Sequence, residues 1–176
     1  MRVVLAAMTA VGVLSGCETI QGMWSGGGEK AIASLQPTKG SNVRGTVHFV
    51  QSGNKVRVSG NITGLRPNGE FGFHIHEAGD CSSGDGMSAK GHFNPFGKPH
   101  GQHPGPERHG GDMPSLKSDA NGNASATFDL DIVTVSPGPA SVVGRGLIVH
   151  VQPDDYKTQP TGNAGARSAC AVIQRS

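Results

Sequence analysis

The chain has 176 residues, a formal net charge of +2 and 35% hydrophobic residues, which suits one domain of ordinary size plus its ends. With charges near balance and no basic run, a nucleic-acid partner is not expected. Aromatic residues make up 5% of the chain against 28 glycines, so the core has to come from Val, Ile, Leu and Ala between many turns.

Met1-Arg2 opens a basic-then-apolar segment that runs to Leu14, too short to span a bilayer comfortably and built like a secretory signal. It ends in Leu14-Ser15-Gly16-Cys17, which looks like a bacterial lipobox. Residues 1–16 are therefore expected to be a removed signal peptide and Cys17 a lipidated N-terminus. An ordinary signal peptide is the alternative. Glu18 follows and no Asp retention signal is seen, so the outer membrane is the default destination. Residues 17–30, with Ser25-Gly26-Gly27-Gly28 at their centre, read as a flexible tether in which Met23 and Trp24 are incidental.

The domain proper, 31–176, alternates with period two. Ala31–Gln36, Asn42–Gln51, Lys55–Ile62 and Glu70–Glu77 read as strands, separated by the turns Ser52-Gly53-Asn54 and Pro67-Asn68-Gly69. Ala78 to Gly111 has no periodicity and is dense in Gly, Pro and His; so long an irregular stretch is normally functional. Strands return at Met113–Ser118 and Ala124–Leu130 around Asp119-Ala120-Asn121-Gly122, then at Gly146–Val151 and Ala169–Gln174. Sustained helical periodicity is missing throughout. Many short strands with Gly-rich turns predict an all-β fold, a Greek-key barrel or sandwich with long loops.

Seven residues have spacings suited to two metals: His74, His76, His92, His100, His109, Asp112 and His150. His74 and His76 are i and i+2 on a strand, so both imidazoles project to one face. His92 to Asp112 lie in a bend-rich loop able to gather a zinc-like set. His150 closes a strand and can complete the first site. Each motif alone is weak. Cys81 and Cys170 remain after Cys17, and in an exported chain such a pair is most simply a disulfide, two separate buried thiols being the other reading.

The order of motifs is far more specific. Gly72-Phe73-His74-Ile75-His76-Glu77, Gly91-His92-Phe93-Asn94-Pro95, His109-Gly110-Gly111-Asp112, Val143-Gly144-Arg145-Gly146 and Thr161-Gly162-Asn163-Ala164-Gly165-Ala166-Arg167 together make the body resemble the copper–zinc superoxide dismutases. The resemblance implies a flattened, immunoglobulin-like Greek-key barrel that converts superoxide to dioxygen and hydrogen peroxide. It assigns copper to His74, His76, His92 and His150, and zinc to His92, His100, His109 and Asp112, with His92 shared. It makes Asp154 the carboxylate that fixes His74 and His100, Arg167 the active-site arginine, and Cys81–Cys170 an intrasubunit disulfide. Superoxide is then the small-molecule partner, membrane contact runs only through the anchor at Cys17, and a homodimer is the common family assembly.

The loop from Gln152 to Arg167 is shorter than in eukaryotic relatives and lacks their Glu-rich guidance run, though Lys157 offers one loop cation. With the export signal, these departures point to the bacterial periplasmic branch. A redox-silent metal-storage or delivery lipoprotein on the same barrel is the rival reading, and a haem or metal scavenger a third. His48 reads as a sheet residue and His103 as a solvent-facing loop residue.

Overall fold

The computed structural model describes residues 28–176; the signal segment, Cys17, Met23 and Trp24 lie outside them. The strands are β1 (Lys30–Pro37), β2 (Arg44–Ser52), β3 (Lys55–Thr63), β4 (Glu70–Phe71), β5 (Phe73–His76), β6 (Leu116–Lys117), β7 (Ala124–Leu130), β8 (Gly146–His150), β9 (Arg167–Val172) and β10 (Gln174–Arg175). Glu29 and Lys30, at the end of the expected tether, belong to the body: Gln51 N donates to Glu29 O at 2.8 Å and Lys30 pairs with Val50.

All the strand pairings are antiparallel, and the main sheet runs β5-β8-β9-β1-β2-β3-β7. Strand β1 joins its two halves. Lys30 to Leu35 pair with β2, whereas Gln36 and Pro37 pair with Cys170 and Ala169 of β9. Because β3 pairs with β7 and β5 with β8, the chain crosses over as a Greek key, which bears out the predicted class. The curled sheet closes around Ala33, Leu35, Val47, Phe49, Val58, Ile62, Phe73, Ile75, Leu147 and Val149.

Strands β1, β2 and β3 show the alternation of a sheet wet on one side. Strands β5 and β8 are buried along their whole length. Phe73, Ile75, Leu147 and Val149 face the core; His74, His76, Ile148 and His150 take the other face, which the loops cover. The site is thus built on the outside of a rigid sheet and sealed by irregular chain.

Two expected strands are interrupted. Glu70–Glu77 breaks at Gly72, whose N–H donates to Gln152 O (2.7 Å) and whose carbonyl accepts from His150 N (2.8 Å), so the chain passes from the β4–β6 pair into the main sheet. Met113–Ser118 shrinks to Leu116–Lys117. Pro114 has no N–H to give a ladder, and Asp112 just before it is drawn to His74 instead.

Cys81 and Cys170 are disulfide-bonded, with Cα atoms 5.9 Å apart and a sequence separation of 89. The bond ties the irregular stretch after β5 to the middle of β9. Replacing both by Ala is expected to destabilise the metal-free protein by about 2–4 kcal/mol, mainly by freeing a long loop in the unfolded chain. An unchanged denaturation midpoint in the double variant would count against this role.

Candidate metal centre

The long irregular stretch is held to the sheet by its own backbone. Phe93 N donates to Ile75 O (2.9 Å), Ile75 N to Gly111 O (2.9 Å), and Gly111 N to Phe93 O (2.8 Å). Gly111 runs so close that a Cβ there would sit 2.1 Å from Ile75 O, so only glycine fits. These ties bring His92 across from His76 and Asp112 across from His74.

Two groups result. The possible ligand atoms of His74, His76, His92 and His150 lie within 4.8 Å of one another, as do those of His92, His100, His109 and Asp112; all seven residues are buried and His92 belongs to both groups. Within the first, the Nε2 atoms of His76 and His150 are 3.4 Å apart. Within the second, Asp112 Oδ1 is 2.8 Å from His92 Nδ1, 3.0 Å from His100 Nδ1 and 3.4 Å from His109 Nδ1.

Four ring nitrogens in these groups are buried without a hydrogen-bond partner: His74 Nδ1, His92 Nε2, His100 Nδ1 and His109 Nδ1. Burying an unpaired polar atom is costly unless something else satisfies it. Closely gathered imidazole nitrogens and one carboxylate are the donor set that suits copper and zinc ions. The residues fit the metals.

The opposite ring atoms are fixed by the protein, as metal ligands require. His76 Nδ1 donates to Lys90 O at 2.8 Å and His150 Nδ1 to Gly165 O at 3.1 Å. Asp154 spans both groups: Oδ2 accepts from His74 Nε2 at 2.7 Å and Oδ1 from His100 Nε2 at 2.9 Å. Asp112 Oδ2 accepts from the backbone N–H groups of Gly101 (3.0 Å) and His109 (2.9 Å). Gly162, at φ +65°, faces Asp154 so closely that a Cβ would sit 1.8 Å from its Oδ1.

Electrostatics separate the rings. Burial, with repulsion from His74, pushes His150 down to about 3, and burial pushes His92 down to about 4 against the pull of Asp112. Both are neutral at ordinary pH, as ligands must be. His100 goes the other way. Burial lowers it, but the Asp112 carboxylate 3.0 Å from Nδ1 and the Asp154 carboxylate on Nε2 win and raise it to about 9.

Without metal, His100 therefore holds a proton from about pH 6.5 to 9. Its contribution to stability is fully present below 6.5 and lost as pH rises through 9. A zinc ion held by this group would have to displace that proton from Nδ1. Zinc uptake by metal-free protein at pH 8 is expected to release about one proton, measured calorimetrically in buffers of different ionisation enthalpy, with the release fading above pH 9. Uptake at pH 8 with no proton released would contradict the carboxylate-held His100.

Arg167, half-buried at the start of β9, lies beside the first group. Its Nη1 donates to Gly86 O and its Nη2 to Lys90 O, the carbonyl that also receives His76. Thr38 Oγ1 donates to Arg167 O at 2.7 Å, fixing its backbone from β1. Several supports escaped the sequence reading. Lys90, Gly165 and Gly101 act through backbone atoms, which carry no side-chain signature. Gln159 clasps the backbone of His100 through both ends of its amide (2.8 and 2.9 Å). His48 is exposed on β2, and His103 lies half-buried by Phe128, their rings 6.1 Å apart; neither is in a metal group. Lys157 is exposed on its loop.

The copper/zinc superoxide dismutase family model matches residues 43–173. Superoxide dismutase [Cu-Zn] 2 of Aquifex aeolicus is 42% identical over 149 residues, 82% of this chain and 86% of its own length. The corresponding enzyme of Paramecium bursaria Chlorella virus 1 is 41% identical over 150 residues, 82% of this chain and 79% of the relative. The crystal structure of the clock protein EA4 superposes with a TM-score of 0.76 at 42% identity, covering 82% of this chain and 93% of that one. The barrel, the two histidine groups and the matched length agree: the chain belongs to the copper/zinc superoxide dismutase family.

Proposed function

We propose that the protein is a superoxide dismutase whose His74, His76, His92 and His150 hold copper, and whose His92, His100, His109 and Asp112 hold zinc. The observation that carries this is the pair of four-residue groups meeting at His92, with Arg167 anchored to the same carbonyl as His76. When bound, the metals supply a redox couple and positive charge, so that one superoxide is oxidised to dioxygen and a second is reduced, with two protons, to hydrogen peroxide.

The side chains have separate tasks. Arg167 presents a guanidinium that attracts and orients a small anion. His92, the residue common to both groups, would hold one metal through each ring nitrogen, and its Nε2 would be the atom that holds a proton for the second superoxide. Asp154 holds His74 and His100 in register, so a shift on one side is resisted by the other.

Superoxide decay, followed on protein reconstituted with both metals, tests the reading. Rapid decay abolished by copper removal is expected. A storage or delivery protein would bind both metals and leave superoxide untouched.

Protection of the cell envelope from a lipid anchor at Cys17 goes with this proposal. It is supported by the short apolar segment ending at Leu14-Ser15-Gly16-Cys17. Cys17→Ser is expected to move the protein from the membrane to the soluble fraction, and unchanged fractionation would remove the anchor from the proposal.

A further inference from the structure

Tyr156, the chain's single tyrosine, has φ 58°, in the left-handed region that a bulky side chain enters only under constraint. The constraint comes from two aspartates in succession. Tyr156 N donates to Asp154 Oδ1 at 2.7 Å, and the Asp155 carboxylate then accepts from Lys157 N (2.9 Å), Thr158 N (2.8 Å) and Thr158 Oγ1 (2.6 Å). Glycine or asparagine would meet this turn with less strain. What neither could supply is the phenol.

The Tyr156 hydroxyl accepts from Ser115 N at 3.1 Å and donates to Ser115 Oγ at 2.9 Å. Ser115 is a firm anchor. It follows Asp112, the fully buried Met113 and Pro114, whose ring fixes its own φ. The tyrosine therefore ties the loop of Asp154 to the segment of Asp112. These are the two carboxylates between which His100 is held. Its Nδ1 is 3.0 Å from Asp112 Oδ1, and its Nε2 is 2.9 Å from Asp154 Oδ1, the same oxygen that receives Tyr156 N. The span between the carboxylates sets where Nδ1 stands relative to His92 and His109, the other nitrogen donors of the group. Gln159 holds the backbone of His100 but not its ring.

We propose that Tyr156 is a positioning residue for the zinc group. Its N–H aims Asp154, and its phenol, clasped to Ser115, sets the span in which the His100 ring is held. Tyr156 is not itself a member of either metal group; it acts through Asp154 and His100. The inference rests on the zinc reading of His92, His100, His109 and Asp112.

Tyr156→Phe keeps the ring and the backbone N–H and removes only the clasp. Zinc affinity, measured by chelator competition on copper-loaded protein, should fall about threefold to tenfold, the scale of one hydrogen bond. Cobalt(II) placed in the second group should show shifted d–d bands, which report ligand geometry and which a change in overall stability would not move. Ser115→Ala should weaken zinc in the same direction and, combined with Tyr156→Phe, add little beyond it, because both variants break one contact. In metal-free protein the Nε2 proton of His100, followed by NMR, should exchange with water faster in Tyr156→Phe than in unmodified protein. Unchanged zinc affinity and cobalt bands in Tyr156→Phe would overturn the role, and so would fully additive losses in the double variant. If unmodified protein takes up no zinc in this group, the metal reading has failed, and the exchange rate of the His100 proton still decides whether Tyr156 positions the ring.

Discussion

His92→Ala is expected to disturb both metal sites, whereas His150→Ala should weaken copper and leave zinc in place. His92 directs Nδ1 to Asp112 at 2.8 Å, and leaves its buried Nε2 without a protein partner, available to the group of His74, His76 and His150. Its ring centroid is 4.0 Å from that of His74 on one side and 5.5 Å from that of His109 on the other. His150 belongs to one group only, and its other nitrogen is spent on Gly165 O. Losing His92 removes a ligand from each ion and should weaken zinc by at least the ten- to hundredfold that loss of an outer partner already costs. Copper and zinc content after identical dialysis measures it. Equal zinc loss in the two variants would contradict the shared position of His92.

Arg167→Ala is expected to keep both metals and the fold yet lose about tenfold or more of the catalytic rate, by the scale of electrostatic focusing. Superoxide is a small anion, so a guanidinium fixed beside the His76 group would raise its productive approach. Arg167 is held by Thr38, Gly86 and Lys90 and belongs to neither metal group, which is why metal binding should survive its removal. Arg167→Lys should recover part of the rate, because the charge returns without the planar fork. The remaining activity of Arg167→Ala should depend less on ionic strength. Full activity in metal-replete Arg167→Ala would leave Arg167 a loop-packing residue.

The two Ala variants fail for different reasons. A lost ligand leaves a buried site incomplete, while a lost guanidinium leaves the site whole and the anion unguided. Metal content and rate measured on the same preparations distinguish them.

The alternation of β1, β2, β3 and β7 is legible because a strand with one wet face must repeat with period two. The pairing of His74 with His76 on one face follows from the same geometry, and burial on both sides of β5 agrees with it. The motif order from Gly72 to Arg167 carried the family resemblance, because several short patterns in fixed sequence are far more specific than any one of them. Tertiary structure alone decided the rest. The sheet order, the break at Gly72 and the shortening before Leu116 depend on partners far along the chain, namely Gln152, His150 and His74. So does the carbonyl shared by His76 and Arg167. Local sequence records which side chains are available and which face they take. Backbone acceptors have no residue signature, because any residue supplies a carbonyl and only long-range packing holds one where it is needed.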